Sequence, residues 1–308
     1  MSKQKVVVIV GPTAVGKTKT SIALAKAFNG QIISGDSMQI YRGMDIGTAK
    51  VTQDEMDGIV HYQIDCCDFK EPYSVMNFQQ DVRNHIKKIA SQGCLPIIAG
   101  GTGLYIKAAL YDYDFETEER KSDTKEKYQL LTNEELYTYL EKIDPISAKN
   151  THMNNRRRVL RAIEIYETTG TTKSSQEALQ KHEMLYDVLF IGLDLERSIL
   201  YERINQRVDE MFALGLMKEF NELIHKGATR QMQSMKAIGY KELFDYIEGK
   251  CTFEEAKEKI CLDSRRYAKR QMTWFRNQMP VSWLQVDLKC YENTLNQAIQ
   301  LTDVFLKG

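Results

Sequence analysis

The chain has 308 residues, 43% hydrophobic and 27% charged, with 42 basic side chains against 42 acidic ones. That length holds two domains or one large one, and a zero net charge argues against a nonspecific nucleic-acid binder. No stretch approaches the roughly 20 apolar residues of a membrane span. The Met-Ser-Lys-Gln-Lys start shows no signal-peptide pattern, and six cysteines without a C-x-x-C pair read as reduced thiols, so a cytoplasmic location is expected.

In chain order, the β-branched run Val6, Val7, Val8, Ile9 and Val10 predicts a strand. Directly after it, Gly11, Pro12, Thr13, Ala14, Val15, Gly16, Lys17 and Thr18 complete a G-x-x-x-x-G-K-[ST] phosphate loop. An Ala-rich helix follows, with Ile22, Ala25 and Phe28 at helical spacing and a stop at Asn29-Gly30. The backbone N–H groups of such a loop and the helix N-terminus cradle phosphate oxygens. Lys17 would reach the outer phosphates, and the Thr18 hydroxyl would serve Mg²⁺. Residues 31–34 predict a second strand, ending at Gly35-Asp36. A helix after Ser74 carries Val75, Phe78, Val82, Ile86 and Ile89 on one face and stops at Gly93. Residues 95–99 predict a third strand, with Gly100-Gly101-Thr102-Gly103 at its end. This alternation implies an α/β fold with a P-loop NTPase-like parallel sheet core. Ligands of such sheets lie outside the carboxyl ends of the strands, so residues 11–18, Asp36 and Thr102 are expected at one crevice.

From about residue 115 the pattern changes to helices and polar linkers. Thr132 and Glu135 form a capping box for a helix ending near Asp144-Pro145. A second helix carries Arg156, Arg157, Arg158 and Arg161 and ends near Gly170. A mainly helical insertion domain is expected over residues 116–187, within a core of residues 1–115 and 188–308. The strand signal returns at residues 188–191. A helix from about 197 to 214 follows, stopped by Gly215, and the remainder reads as helical with a short strand at 283–286.

Several residues could carry chemistry. Asp36 follows a strand and could ligate Mg²⁺ through water or act as a general base; the bland alternative is an Asx turn. Three glycines around Thr102 suggest close approach to a ligand, or a flexible turn. Arg203 and Arg207 lie four apart beside Leu200, Ile204, Val208 and Met211, and could present guanidinium groups to a polyphosphate. Pairing with Glu202 or Glu210 is the alternative. Four arginines at 156–161 suit a nucleic-acid backbone. Arg265, Arg266, Lys269, Arg270 and Arg276 interleave with Tyr267, Trp274 and Phe275. Basic groups with aromatics can hold single-stranded bases, yet Ile260, Tyr267 and Trp274 recur every seven residues, which assigns Tyr267 and Trp274 to a packed stripe. Acid collects at Asp112, Asp114, Glu116, Glu118 and Glu119.

Taken together, the phosphate loop, Ser-Gly-Asp-Ser-Met-Gln-Ile-Tyr-Arg-Gly-Met-Asp-Ile-Gly-Thr-Ala-Lys (34–50) and Gly-Gly-Thr-Gly-Leu-Tyr (100–105) resemble the tRNA dimethylallyltransferase family. So do Arg-Val-Leu-Arg-Ala-Ile-Glu (158–164), Ala-Ile-Gly-Tyr-Lys (237–241) and Ala-Lys-Arg-Gln-Met-Thr-Trp-Phe-Arg (268–276), and the likeness runs from residue 6 to about 280. The resemblance implies a prenyltransferase that moves a dimethylallyl group from its diphosphate to the N6 amine of adenosine 37. The acceptor would be the anticodon arm of tRNAs reading codons that begin with U, and diphosphate would be released. Residues 11–18 would hold dimethylallyl diphosphate rather than the ATP that the motif alone suggests, with Thr18 helping to bind Mg²⁺. Asp36 resembles the family's general base, and Ser37, Met38 and Gln39 its contacts to the target adenosine. Thr102 resembles a residue near that base, and Arg207 a diphosphate-binding arginine. Arg157, Arg158, Val159, Leu160 and Arg161 match a segment that touches tRNA. So do Lys236, Ala237, Ile238, Gly239, Tyr240 and Lys241, and likewise Lys269, Arg270, Gln271, Trp274 and Arg276. Members commonly carry an arginine at the start of the insertion; here both Arg120 and Lys125 are possible equivalents. A monomer is expected.

The chemistry suits these residues independently. An aryl amine is a weak nucleophile, so the leaving diphosphate needs charge stabilisation from backbone N–H groups, Lys17, an arginine and Mg²⁺. A carboxylate must take the amine proton, and the base must leave its stack. A nucleoside-kinase-type phosphotransferase shares the loop and could use Asp36 toward a hydroxyl, but does not call for the basic helices. A nucleotide-binding regulatory module and an enzyme that prenylates free AMP are further alternatives.

Overall fold

A computed structural model describes residues 3–113, 127–128, 130–179 and 183–308. Six strands form one parallel sheet: β1 (Lys5–Val10), β2 (Gly30–Ser34), β3 (His61–Tyr62), β4 (Leu95–Gly100), β5 (Asp187–Asp194) and β6 (Ser282–Gln285). Their order is β3-β2-β4-β1-β5-β6, with every neighbouring pair parallel. The continuous apolar run of β1 is explained by its central place, since a strand covered on both faces has no solvent side to make polar. Val6, Val7, Val8, Ile9 and Val10 are all fully buried. Residues 31–34 and 95–99 fall within β2 and β4 as read from the sequence, and the last strand sits one residue earlier than expected. The two-residue β3 is too short to leave a periodic signal.

The chain divides into two compact units, Met1–Tyr111 with Met184–Gly308, and Asp112–Glu183. The junctions lie earlier than 116 and 187. Leu185 N–H donates to the Leu110 carbonyl at 2.9 Å, which keeps both flanks in the first unit. Asp112 and Glu183 bind each other instead: Asp112 N–H donates to the Glu183 carbonyl, and Glu183 N–H to Asp112 Oδ1.

In the first unit, the helix Lys17–Ala27 starts at Gly16 with no side-chain cap. Its first N–H groups are therefore left for whatever occupies the loop. The helix Val75–Ser91 opens on a Ser74–Asn77 capping box and buries Phe78, Val82, Ile86 and Ile89. Helices Gln53–Met56, Gly103–Leu110, Arg197–Ala213, Leu216–His225, Tyr240–Ile247, Phe253–Gln278 and Tyr291–Lys307 also belong to this unit.

The second unit packs Leu136 and Leu140 of the helix Asn133–Ile143 against Val159, Ala162 and Ile163 of the helix Arg156–Thr169. The Thr132–Glu135 capping box is present. No helix among the described residues is long and apolar enough to cross a membrane.

Candidate active site

The carboxyl ends of β1, β2 and β4 feed three loops, carrying Lys17, Asp36 and Thr102. In the first, the Lys17 ammonium donates to the carbonyls of Pro12 at 2.7 Å and Gly11 at 3.1 Å. Burial pulls its pKa from 10.5 down to about 8; Arg207 pushes the same way and Asp36 opposes. Arg207 reaches the loop from the helix Arg197–Ala213, donating to Thr13 Oγ1 at 3.2 Å and to the Ala49 carbonyl at 3.4 Å. Burial lowers the Arg207 pKa too, and the Asp36 carboxylate is the largest influence in the other direction. Lys17, Arg207 and Asp36 thus sense one another at the phosphate loop. Arg203, one turn earlier and exposed, donates to the Ala14 carbonyl at 3.0 Å. From the far end of the chain, Tyr291 donates to the Gly16 carbonyl at 2.9 Å. A Cβ at Gly16 would collide with that hydroxyl.

Asp36 makes the Asx turn: Oδ1 accepts the Met38 N–H at 2.8 Å. Its Oδ2 receives no hydrogen bond from the described residues, so the turn orients the carboxylate and leaves an oxygen for chemistry. Thr102 holds this turn. Its Oγ1 accepts the Ser37 N–H at 3.1 Å and donates to Ser37 Oγ at 3.3 Å, while its N–H donates to the Gly35 carbonyl at 3.1 Å. The glycines around Thr102 do make room, but for protein: a Cβ at Gly101 would strike the Gln271 amide, and one at Gly103 the Trp274 ring. Burial and then the Asp36 charge push the Tyr267 hydroxyl up to about 12, with Thr102, Gln271 and Arg270 pulling the other way.

The segment 34–50 is braced by Gln39, Lys50 and Tyr240 and by Glu219, which sequence reasoning missed. Glu219 Oε2 accepts the N–H groups of Asp45 and Ile46, both at 2.7 Å. Its Oε1 takes the Gly47 N–H at 3.1 Å and the Tyr240 hydroxyl at 2.6 Å. Lys50, 9% exposed, donates to the Tyr41 carbonyl, Asp45 and Asp65. Gln39 accepts the Ser34 hydroxyl at 3.1 Å and donates to the carbonyls of Thr48 and Ala49. Its amide therefore holds this segment together at both ends. Glu219 reads in sequence as an ordinary surface acid, and no local pattern marks it.

The expected tRNA-contacting residues separate into exposed and buried ones. Arg157 and Arg158 are exposed, and Arg161 lies 3.7 Å from Glu164. Arg156 leaves the basic cluster, tied to the carbonyls of Tyr128 and Leu131 and to Asn133. Val159 is fully buried, which takes it off the exposed face, and half-buried Leu160 packs on the same core. Within 236–241, Lys236 is exposed, Ile238 is half-buried, and Ala237, Gly239 and Tyr240 are buried. Lys241 pairs with Asp263 at 2.9 Å and Glu242 at 3.2 Å. Lys269 and Arg270 are exposed, Arg270 lying over the Tyr267 ring. Arg276 pairs with Asp194 at 2.6 Å. Gln271 is buried, which removes it from the exposed face. Tyr267 and Trp274 are half-buried, flanking the buried stripe of Ala256, Ile260, Ala268, Gln271 and Phe275. Arg120, Lys125, Asp114, Glu116, Glu118 and Glu119 lie outside the described residues.

Among the described residues no cluster of three or more His, Cys, Asp or Glu side chains could hold a metal ion. Mg²⁺ usually keeps waters and phosphate oxygens and takes one or two protein ligands. The exposed Thr18 at the end of the loop suits that donor set.

The family model for IPP transferases matches residues 39–278, and one for isopentenyl transferases matches residues 4–73. The chain belongs to the tRNA dimethylallyltransferase (IPP transferase) family. A tRNA dimethylallyltransferase of Bacillus cytotoxicus is 56% identical over 288 residues, 92% of this chain and 91% of that protein. A solved tRNA isopentenylpyrophosphate transferase from Staphylococcus epidermidis superposes with a TM-score of 0.74 at 47% identity, covering 99% of this chain and 100% of that one. A eukaryotic dimethylallyltransferase acting on tRNA gives 0.87 at 31% identity, covering 99% and 80%. In this dimethylallyltransferase-family chain, the motif loops read from the sequence are the ones that follow the carboxyl ends of β1, β2 and β4.

Proposed function

We propose that the chain transfers a dimethylallyl group from dimethylallyl diphosphate to the N6 amine of adenosine 37 in tRNAs reading codons that begin with U. The observation that carries this reading is the Asp36 carboxylate in electrostatic reach of Lys17 and Arg207 at the phosphate loop. The bond from C1 of the allylic group to the diphosphate oxygen breaks, and a bond from C1 to N6 forms. The loop N–H groups, Lys17 and Arg207 stabilise the departing diphosphate. Asp36 Oδ2 takes the proton that the amine releases. Thr18 would help to hold a Mg²⁺ ion, which would supply further charge neutralisation. Thr102 keeps Asp36 aimed through Ser37. Exposed Arg157, Arg158, Lys236, Lys269 and Arg270 supply phosphate contacts that hold the anticodon arm. The enzyme works as a cytoplasmic monomer in this reading.

Incubation with dimethylallyl diphosphate, Mg²⁺ and unmodified tRNA tests it. The expected product is a prenyl mass increment on adenosine 37. Stoichiometric ADP release from ATP without that increment would return the chain to the kinase reading.

A further inference from the structure

Gln271 stands in the middle of the basic stretch of the helix Phe253–Gln278, yet it is only 5% exposed. Its Oε1 accepts the Thr13 N–H at 3.2 Å. Its Nε2 donates to the Gly101 carbonyl at 3.0 Å. The two partners fix the amide's orientation, because a flip would set donor against donor and acceptor against acceptor. Gly101 must be glycine for the amide to come this close.

Each partner also belongs to a chain of contacts that ends at a reacting group. Thr13 receives the Arg207 guanidinium on its hydroxyl. Gly101 precedes Thr102, which holds Ser37 and through it the Asp36 turn. One continuous path therefore runs from Arg207 through Thr13, Gln271, Gly101, Thr102 and Ser37 to Asp36. The first end lies on the diphosphate side of the proposed reaction and the last on the acceptor side.

We propose that Gln271 is a positioning residue, which sets the distance between the phosphate loop and the loop that aims Asp36. The assignment rests on the prenyl-transfer reading for its effect on rate, and on geometry alone for the bridge. Gln is the residue that fits: Asn is shorter by one methylene, Glu as a carboxylate accepts but cannot donate, and Met does neither.

The test is Gln271→Met, which keeps length and burial and removes both bonds. Small misplacements of reacting groups cost on the order of 10²-fold in rate. The expected result is a kcat lowered about 10- to 100-fold, with KM for each substrate within about threefold of wild type. Binding of inorganic diphosphate, read by thermal shift, should persist. Should Gln271→Met fail to fold, Gln271→Glu keeps the acceptor for Thr13 and loses the donor to Gly101, and the same split is expected. A folded variant with kcat within about twofold of wild type would overturn the proposal. A raised tRNA KM at unchanged kcat would overturn it too, by making Gln271 a tRNA contact. Hydrogen exchange at the Thr13 amide decides the bridge without any reaction: exchange should speed up in Gln271→Met, and unchanged protection overturns the assignment. A wild type that shows the exchange difference but no prenyl transfer leaves the bridge standing and removes the reaction reading.

Discussion

Lys17 is held at a cost that pH can reveal. Its folded pKa of about 8 lies below the unfolded value of 10.5, so in between the unfolded chain keeps a proton that the folded chain gives up. The cost is fully present below about pH 8 and is relieved as pH rises toward 10.5; stability contributed at this site therefore increases with pH across that window. The fall from 10.5 to about 8 corresponds to roughly 3 kcal/mol at about 1.4 kcal/mol per unit. Between pH 7 and pH 10, about 2.5 kcal/mol of it is recovered. Lys17→Met removes the titrating group. It also removes the two hydrogen bonds to Gly11 and Pro12, but their loss does not vary with pH. The free-energy gap between wild type and variant should therefore shift by about 2.5 kcal/mol in favour of wild type between pH 7 and pH 10. Urea denaturation followed by tryptophan fluorescence measures it, since Trp274 and Trp283 both belong to the unit that carries the loop. A gap that stays constant over this range would refute the burial of a charged Lys17.

Asp36→Asn should slow single-turnover transfer by about 10²-fold or more with tRNA affinity near wild type; an unchanged rate would remove the base assignment. Tyr240→Phe deletes a buried donor to Glu219, so a stability loss of about 1–2 kcal/mol with unchanged tRNA affinity is expected from urea denaturation and filter binding. Weakened tRNA binding at full stability would instead restore Tyr240 to the RNA surface. Arg157→Ala should weaken tRNA binding and reduce its log–log salt slope by about one; an identical slope would leave Arg157 as solvated surface.

The comparison of sequence with structure divides by the range of the interactions. The phosphate loop was legible because its chemistry is local: eight consecutive residues between a strand and a helix. Asp36 and Thr102 were legible as strand-end residues, since a parallel sheet gathers its strand ends at one edge. The β-branched run of β1 and the capping box at Thr132 likewise needed only near neighbours. Burial within a charged segment was not legible. Val159, Tyr240 and Gln271 share short stretches with exposed cations, and helical packing alone decides which side chains face inward. The braces of the site are farther still from local pattern. Gln271 meets Thr13 across 258 positions, Glu219 meets Asp45 across 174, and Tyr291 meets Gly16 across 275. The sequence by itself determined which groups stand at the candidate site, because those groups sit in short motifs with required spacing. Only the tertiary structure decided what holds them in place, because a buried hydrogen bond joins whichever donor and acceptor the packed elements bring within about 3 Å.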